Sequence, residues 1–230
     1  NVSELRARVV AERADLGIAL DGDADRLGVI DDRGNILWGD QLMILFSRAV
    51  LKEEPGAAIV GEVKCSQTMY DEIAKAGGKP VMWKAGHSLI KAKMKETSAA
   101  LAGEMSGHIF FKNRWYGFDD GVYSGARLLE ILSHEKRPLS DLLADVPRTF
   151  SSPEIRRDVD SEEKKFALVK AATEHFRRAG HKLVDVDGVR VIFEDGWGLV
   201  RASNTQPILV LRFEAQTAER LAEIEQLFER

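Results

Sequence analysis

The chain has 230 residues, 44% of them hydrophobic and 30% charged, with a formal net charge of −4. That balance describes a globular protein of one large or two modest domains and gives no general attraction to nucleic acid. No apolar run approaches the ~18 residues that a membrane helix requires, and the single cysteine, Cys65, excludes an internal disulfide or a thiolate cluster and suits a cytoplasmic setting.

The first residues, Asn1-Val2-Ser3-Glu4-Leu5, carry neither an initiator Met nor a signal-peptide pattern, so the chain is expected to begin inside a longer protein. From Ser3 the sequence predicts a capped amphipathic helix that turns at Asp15-Leu16-Gly17 into a strand. The apolar runs Leu16–Leu20 and Leu27–Ile30 have the length of buried strands, so Asp21-Gly22-Asp23-Ala24-Asp25-Arg26 between them is expected to be a tight loop. Carboxylates on alternate residues repel one another unless a cation or fixed donors neutralise them, and hard divalent ions favour an all-oxygen set. A solvated acidic turn is the bland alternative. An EF-hand is excluded, because Arg26 stands where that loop needs Gly, Asp32 stands where it needs Glu, and the flanks are strands. Arg26 beside the carboxylates suits an anion such as phosphate.

A hairpin turn at 31–35 and a helix from Gly39 to about Leu51 follow. Then strands and helices alternate: strand 58–63, helix 68–76, strand 80–83, helix 88–95, strand 99–102. This order predicts βαβ units and a mostly parallel sheet, whose ligands bind at the carboxyl ends of the strands. Lys64, Gly86-His87 and Gly103-Glu104-Met105-Ser106-Gly107-His108 fall at those ends. Each has an ordinary reading as a solvated lysine, a helix cap and a Gly-bracketed turn. Chemically, however, Glu104 and Ser106 suit sugar hydroxyls, and His108 can move a proton near neutral pH. Strand 108–111, helix 119–132 and a short helix at 137–143 complete the unit. Residues 147–153 have the composition of a linker.

The remainder predicts a smaller α+β domain: strand 154–157, helix 161–178, strands 182–184, 189–193, 198–201 and 208–213, and helix 217–228. Arg201-Ala202-Ser203-Asn204-Thr205-Gln206-Pro207 offers one guanidinium, three small polar side chains and backbone N–H groups. It could cradle a phosphate or form a capped turn. The predicted fold class is thus α/β, a mostly parallel mixed sheet with helices on both faces, followed by an α+β carboxy-terminal domain.

Taken together and in this order, Asp21–Arg26, Gly103–His108 and Arg201–Pro207 resemble the metal-, sugar- and phosphate-binding loops of the α-D-phosphohexomutase superfamily. Val63-Lys64-Cys65 and Lys84-Ala85-Gly86-His87-Ser88-Leu89-Ile90-Lys91 add to the likeness. The Gly-Glu-Met-Ser-Gly-His form is closest to the bacterial phosphomannomutase/phosphoglucomutase branch. The resemblance implies the end of a second domain (1–35), a third (36–147) and a fourth (148–230).

It further implies Mg²⁺ on Asp21, Asp23 and Asp25, with Arg26 near the transferring phosphoryl group. His87, Glu104 and Ser106 would bind the sugar, and His108 and Lys64 would transfer protons or stabilise charge. Arg201, Ser203, Asn204 and Thr205 would clamp the phosphate that does not react. Gln206, where relatives often carry Thr, is a conservative departure.

The implied activity interconverts hexose 1- and 6-phosphates of glucose and mannose through a phosphoserine and glucose 1,6-bisphosphate. The family's Ser-His-Asn/Asp-Pro phosphoserine loop is not in this sequence; Ser133-His134 is followed by Glu135-Lys136. The implied partners are hexose phosphates and the amino-terminal domains of the same enzyme, with no nucleic acid or membrane and a monomeric state. The rival reading is a non-catalytic phosphosugar-binding module. A Mg²⁺-dependent phosphatase would leave the sugar and phosphate loops without a purpose.

Overall fold

A computed structural model describes residues 2–204 and 206–229, in two compact units, Asn1–Pro147 and Arg148–Arg230. The first unit opens with α1 (Ser3–Glu12), which buries Val9. Its N-cap falls on Val2 and makes no side-chain capping bond, so the capped start expected at Ser3 is not formed. Next come β1 (Leu16–Leu20) and β2 (Leu27–Asp31), an antiparallel hairpin in register from Leu16 opposite Asp31 to Leu20 opposite Leu27. β1 is only partly buried, with Leu20 exposed, whereas β2 is the buried member of the pair. β3 (Ile36–Leu37) adds to β2 after a turn in which Asp31 Oδ1 accepts the N–H groups of Arg33 and Asn35.

α2 (Gly39–Glu53) then leads into β4 (Ala58–Glu62), α3 (Gln67–Lys75), β5 (Lys79–Trp83), α4 (His87–Thr97), β6 (Leu101–Gly103), β7 (Ile109–Phe111) and α5 (Gly121–Ser133). The sheet order is β5-β4-β6-β7. β5, β4 and β6 run parallel and β7 is antiparallel, which is the mixed, mostly parallel sheet expected from the alternation of elements.

Strand side chains alternate between two cores. Ile59, Leu101, Ile109 and Phe111 pack with buried residues of α2 and α3, while Val60, Ala102 and Phe110 pack with Ile90 and Met94 of α4. Helices therefore cover both faces, and each fully buried large apolar side chain contributes about 1.5–3 kcal/mol. The short helix expected at 137–143 is a single 3-10 turn, Leu139–Asp141, which buries Leu139.

In the second unit, β8 (Phe150–Ser151) and β9 (Ile155–Asp158) precede α6 (Glu162–Arg178). Then follow β10 (Lys182–Val184), β11 (Val189–Ile192), β12 (Gly196–Ala202), β13 (Ile208–Ala215) and α7 (Ala218–Glu229). The sheet is antiparallel, with β8 and β9 both pairing with β13. Part of the stretch expected to be a linker is therefore sheet. Ser152 exchanges backbone and side-chain hydrogen bonds with Phe213, donating from its N–H to the carbonyl and accepting the Phe213 N–H on Oγ. α6 and α7 meet through Phe176 and Phe228, whose ring centroids lie 4.7 Å apart. Among the described residues no helix is long and apolar enough to cross a membrane.

Candidate functional site

The β1–β2 connection holds the acidic loop. Ala24 adopts φ 62°, and the Arg26 N–H donates to Asp21 Oδ1 at 3.2 Å. These constraints fold the loop so that ligand atoms of Asp21, Asp23 and Asp25 lie within 4.8 Å of one another. The donor set is anionic and all-oxygen, and Asp25 Oδ1 is buried without a hydrogen-bond partner. Both features fit a hard divalent cation. The start of α5 presses against this loop: the Gly121 N–H donates to the Ala24 carbonyl at 3.0 Å, and a side chain at Gly121 would meet the carbonyls of Ala24 and Arg26 at 2.8 Å.

The loop after β6 is stitched to the acidic loop. The Leu27 N–H donates to the Gly107 carbonyl at 3.0 Å, and Arg26 and His108 form an antiparallel bridge. Arg26 Nε donates to His108 Nε2 at 3.0 Å. A guanidinium can only donate, so Nε2 accepts, and the imidazole proton belongs on Nδ1. Nδ1 faces Asp119 Oδ2 at 3.3 Å and Asp25 Oδ2 at 3.6 Å. His87 Nδ1 lies 3.6 Å from Asp119 Oδ2, and the two imidazoles stack with centroids 5.9 Å apart. In this arrangement Nε2 of His108 is held by Arg26, so it can accept a substrate proton only when that guanidinium moves.

Asp119 is the residue that sequence reasoning missed. Lys91 Nζ donates to its Oδ1 at 3.0 Å. Burial pushes the Asp119 carboxyl up, but the bond from Lys91, a backbone N–H and the charges of Lys91 and His108 outweigh it, leaving the carboxyl below the usual aspartate range. The available signal was the doublet Asp119-Asp120: Asp120 Oδ1 caps α5 by accepting the Tyr123 N–H at 2.8 Å, and one cap is enough.

Glu104 is buried, and its Oε1 accepts the Gly86 N–H at 2.6 Å. One carboxylate oxygen is thus committed to holding the turn that carries His87. Ser106 is exposed at the loop tip. Lys64 Nζ lies 3.6 Å from Glu62 Oε1, whose carboxylate also accepts the Met105 N–H at 3.3 Å. The structure thereby groups Asp21, Asp23, Asp25, Arg26, His87 and His108 closely and ties Glu104 and Lys64 to the same loops.

In the second unit Arg201 is the penultimate residue of β12, buried, with Nε donating to Asp187 Oδ2 at 2.9 Å. Ser203 is buried and Asn204 exposed; Thr205 lies outside the described residues. The backbone donors of Ser203, Gln206 and Ile208 are used within the loop, on the Ile208 carbonyl, Ser203 Oγ and the Gln206 carbonyl. Fewer N–H groups face outward than composition promised. Beneath the loop, Lys165 Nζ donates to the carbonyls of Ser203 and Gln206.

Two family descriptions match the chain: the phosphoglucomutase/phosphomannomutase alpha/beta/alpha domain III over residues 38–150, and the phosphoglucomutase/phosphomannomutase C-terminal domain over residues 154–230. The chain is 53% identical over 228 residues to a phosphomannomutase/phosphoglucomutase of Pseudomonas aeruginosa, covering 99% of the chain and 49% of the relative. It is 46% identical over 230 residues to a phosphoglucomutase of Neisseria gonorrhoeae, covering 99% and 50%. A crystal structure of a phosphoglucomutase/phosphomannomutase family protein from Burkholderia thailandensis superposes with a TM-score of 0.90 at 47% identity, covering 100% of the chain and 49% of its counterpart. The chain therefore spans about half the length of the curated relatives it matches.

Proposed function

This chain belongs to the phosphoglucomutase/phosphomannomutase family of the α-D-phosphohexomutase superfamily, and from that premise we propose that it supplies the metal, sugar and phosphate loops of a phosphohexomutase. In this reading residues 1–35 end a second domain, 36–147 form the third and 148–230 the fourth. The observation that carries it is the continuous contact from the acidic loop through Arg26 to His108 and on to Asp119 and His87. An isolated metal site has no need of stacked imidazoles on a polyol-binding loop, and a plain sugar site has no need of clustered carboxylates.

Asp21, Asp23 and Asp25 would hold Mg²⁺, which when bound draws charge from a transferring phosphoryl group. Arg26 would meet the phosphoryl oxygens. Transferring its guanidinium from His108 Nε2 to the anion would leave that nitrogen able to take a hydroxyl proton. Glu104 and Ser106 would grip sugar hydroxyls, His87 would contact the ring, and Lys64 would stabilise charge nearby. Arg201, Ser203, Asn204 and Thr205 would clamp the second phosphate of glucose or mannose 1- and 6-phosphates and of glucose 1,6-bisphosphate. The phosphoryl carrier, a serine, would come from the amino-terminal half that the relatives possess.

The test is ³¹P NMR of glucose 1-phosphate with Mg²⁺ and a trace of glucose 1,6-bisphosphate. The 230-residue chain alone is expected to bind and to convert none. With an amino-terminal half supplied, in cis or as a second chain, the 6-phosphate accumulates. Isomerisation by the chain alone, or release of inorganic phosphate without isomerisation, overturns the proposal.

A further inference from the structure

Lys165 stands in the first turn of α6 and is 1% exposed, an unusual place for an ammonium unless partners surround it. Its three donors meet three oxygens: the Ser203 carbonyl at 2.7 Å, the Gln206 carbonyl at 2.9 Å and Glu162 Oε2 at 2.6 Å. The two carbonyls bracket the loop that follows Arg201. In a planar trans peptide the C=O and the next N–H point in opposite directions. Drawing the Ser203 carbonyl toward α6 therefore turns the Asn204 N–H away from α6, on the side where Asn204 is exposed. The charge matters as well as the geometry. Glu162, its counterion, has a side chain 57% exposed and is screened by water, whereas the buried ammonium is not.

We infer that Lys165 is the positioning residue of this loop, fixing the set of the Ser203–Asn204 peptide and placing a buried positive charge, only partly offset by the exposed Glu162, beneath a bound phosphate, which Arg201 contacts. This rests on the reading of residues 201–207 as a phosphate clamp. A purely structural tie between helix and loop would serve as well without a charge.

The discriminating experiment titrates inorganic phosphate at low salt into the 230-residue chain and into three variants, following amide signals and affinity by NMR. Arg201→Ala is expected to weaken binding at least tenfold. Lys165→Met is expected to weaken it at least fivefold and to abolish the shift of the Asn204 amide on phosphate addition. Glu162→Gln, which leaves the loop untouched and removes the counterion, is expected to tighten binding two- to threefold. If Arg201→Ala loses binding while Lys165→Met keeps affinity within twofold and still shifts Asn204, the role of Lys165 is overturned and the clamp stands. If Arg201→Ala binds as the parent does, the clamp itself is wrong. Should Lys165→Met not fold, Glu162→Gln decides: unchanged or weaker binding overturns the inference.

Discussion

Glu104 holds a turn in the structure and, in the proposed function, also grips the sugar, and a pair of substitutions can separate the two. One oxygen holds the Gly86 N–H at 2.6 Å in a buried setting, a hydrogen bond to a charged group worth about 1.5–3 kcal/mol. Glu104→Ala removes it, and at about 2–4 °C per kcal/mol for a domain of this size the melting temperature should fall by about 3–12 °C. Glu104→Gln keeps an acceptor oxygen, giving up roughly 1 kcal/mol and about 2–4 °C. The second task, under the proposed function, would be sugar binding. In the full-length enzyme, kcat/KM for Glu104→Ala should fall by about 2–4 kcal/mol of transition-state binding, roughly 30- to 900-fold, and similarly for glucose and mannose phosphates. Calorimetry on the chain and coupled kinetics on the enzyme measure the two effects separately. An Ala variant that melts with the parent, or a Gln variant as destabilised as Ala, would refute the assignment of Oε1 to Gly86; a loss confined to one sugar would show that Glu104 reads the epimeric carbon.

Under the proposed function, Asp23→Asn should abolish most turnover in the full-length enzyme and the weak Mg²⁺ binding expected of this chain while leaving its melting temperature unchanged, because Asp23 is exposed; near-normal turnover at limiting Mg²⁺ would count against the metal loop. Asp119→Asn should lower stability, by an amount that depends on pH. The folded carboxyl sits below its ordinary value, so its contribution is fully present above the unfolded value of about 3.9 and is lost as pH falls through the lower folded one. Denaturant melts should show a gap between parent and variant at about pH 5 that closes as pH falls below about 3.9; a gap that keeps growing below that pH would contradict the sign.

Local signals carried much of the architecture into view. The strand–helix alternation between Ala58 and Gly103 has the periodicities that specify parallel pairing, and the acidic loop is bounded by apolar runs whose register leaves it no option but a hairpin turn. What stayed hidden depends on partners remote in sequence. Asp119 and His108 matter to each other only because α5 returns to the acidic loop. Lys165 belongs to a helix whose composition reads as solvated, and its burial is explained by the carbonyls of residues 203 and 206, remote in sequence, together with Glu162. The Pro- and Ser-rich stretch around Phe150 resembles a linker because a two-residue strand has no periodicity; its pairing with Glu214 and Ala215 is tertiary information. Glu104 looked like a free ligand for hydroxyls, since a turn-bracing role needs the position of Gly86.

The bridge between Arg26 and His108 also bears on how this family could be recombined. Grafting the acidic hairpin alone from one relative into another would set a foreign Arg26-Leu27 edge against a resident Gly107-His108 edge. A side chain at Gly107 would meet the Leu27 carbonyl at 2.7 Å, so even small misfits there have no room to relax. A chimera cut between residues 35 and 36 should therefore be crippled, whereas one joined near Pro147, where one compact unit ends and the next begins, exchanges the acidic loop and the Gly107-His108 loop as a matched pair.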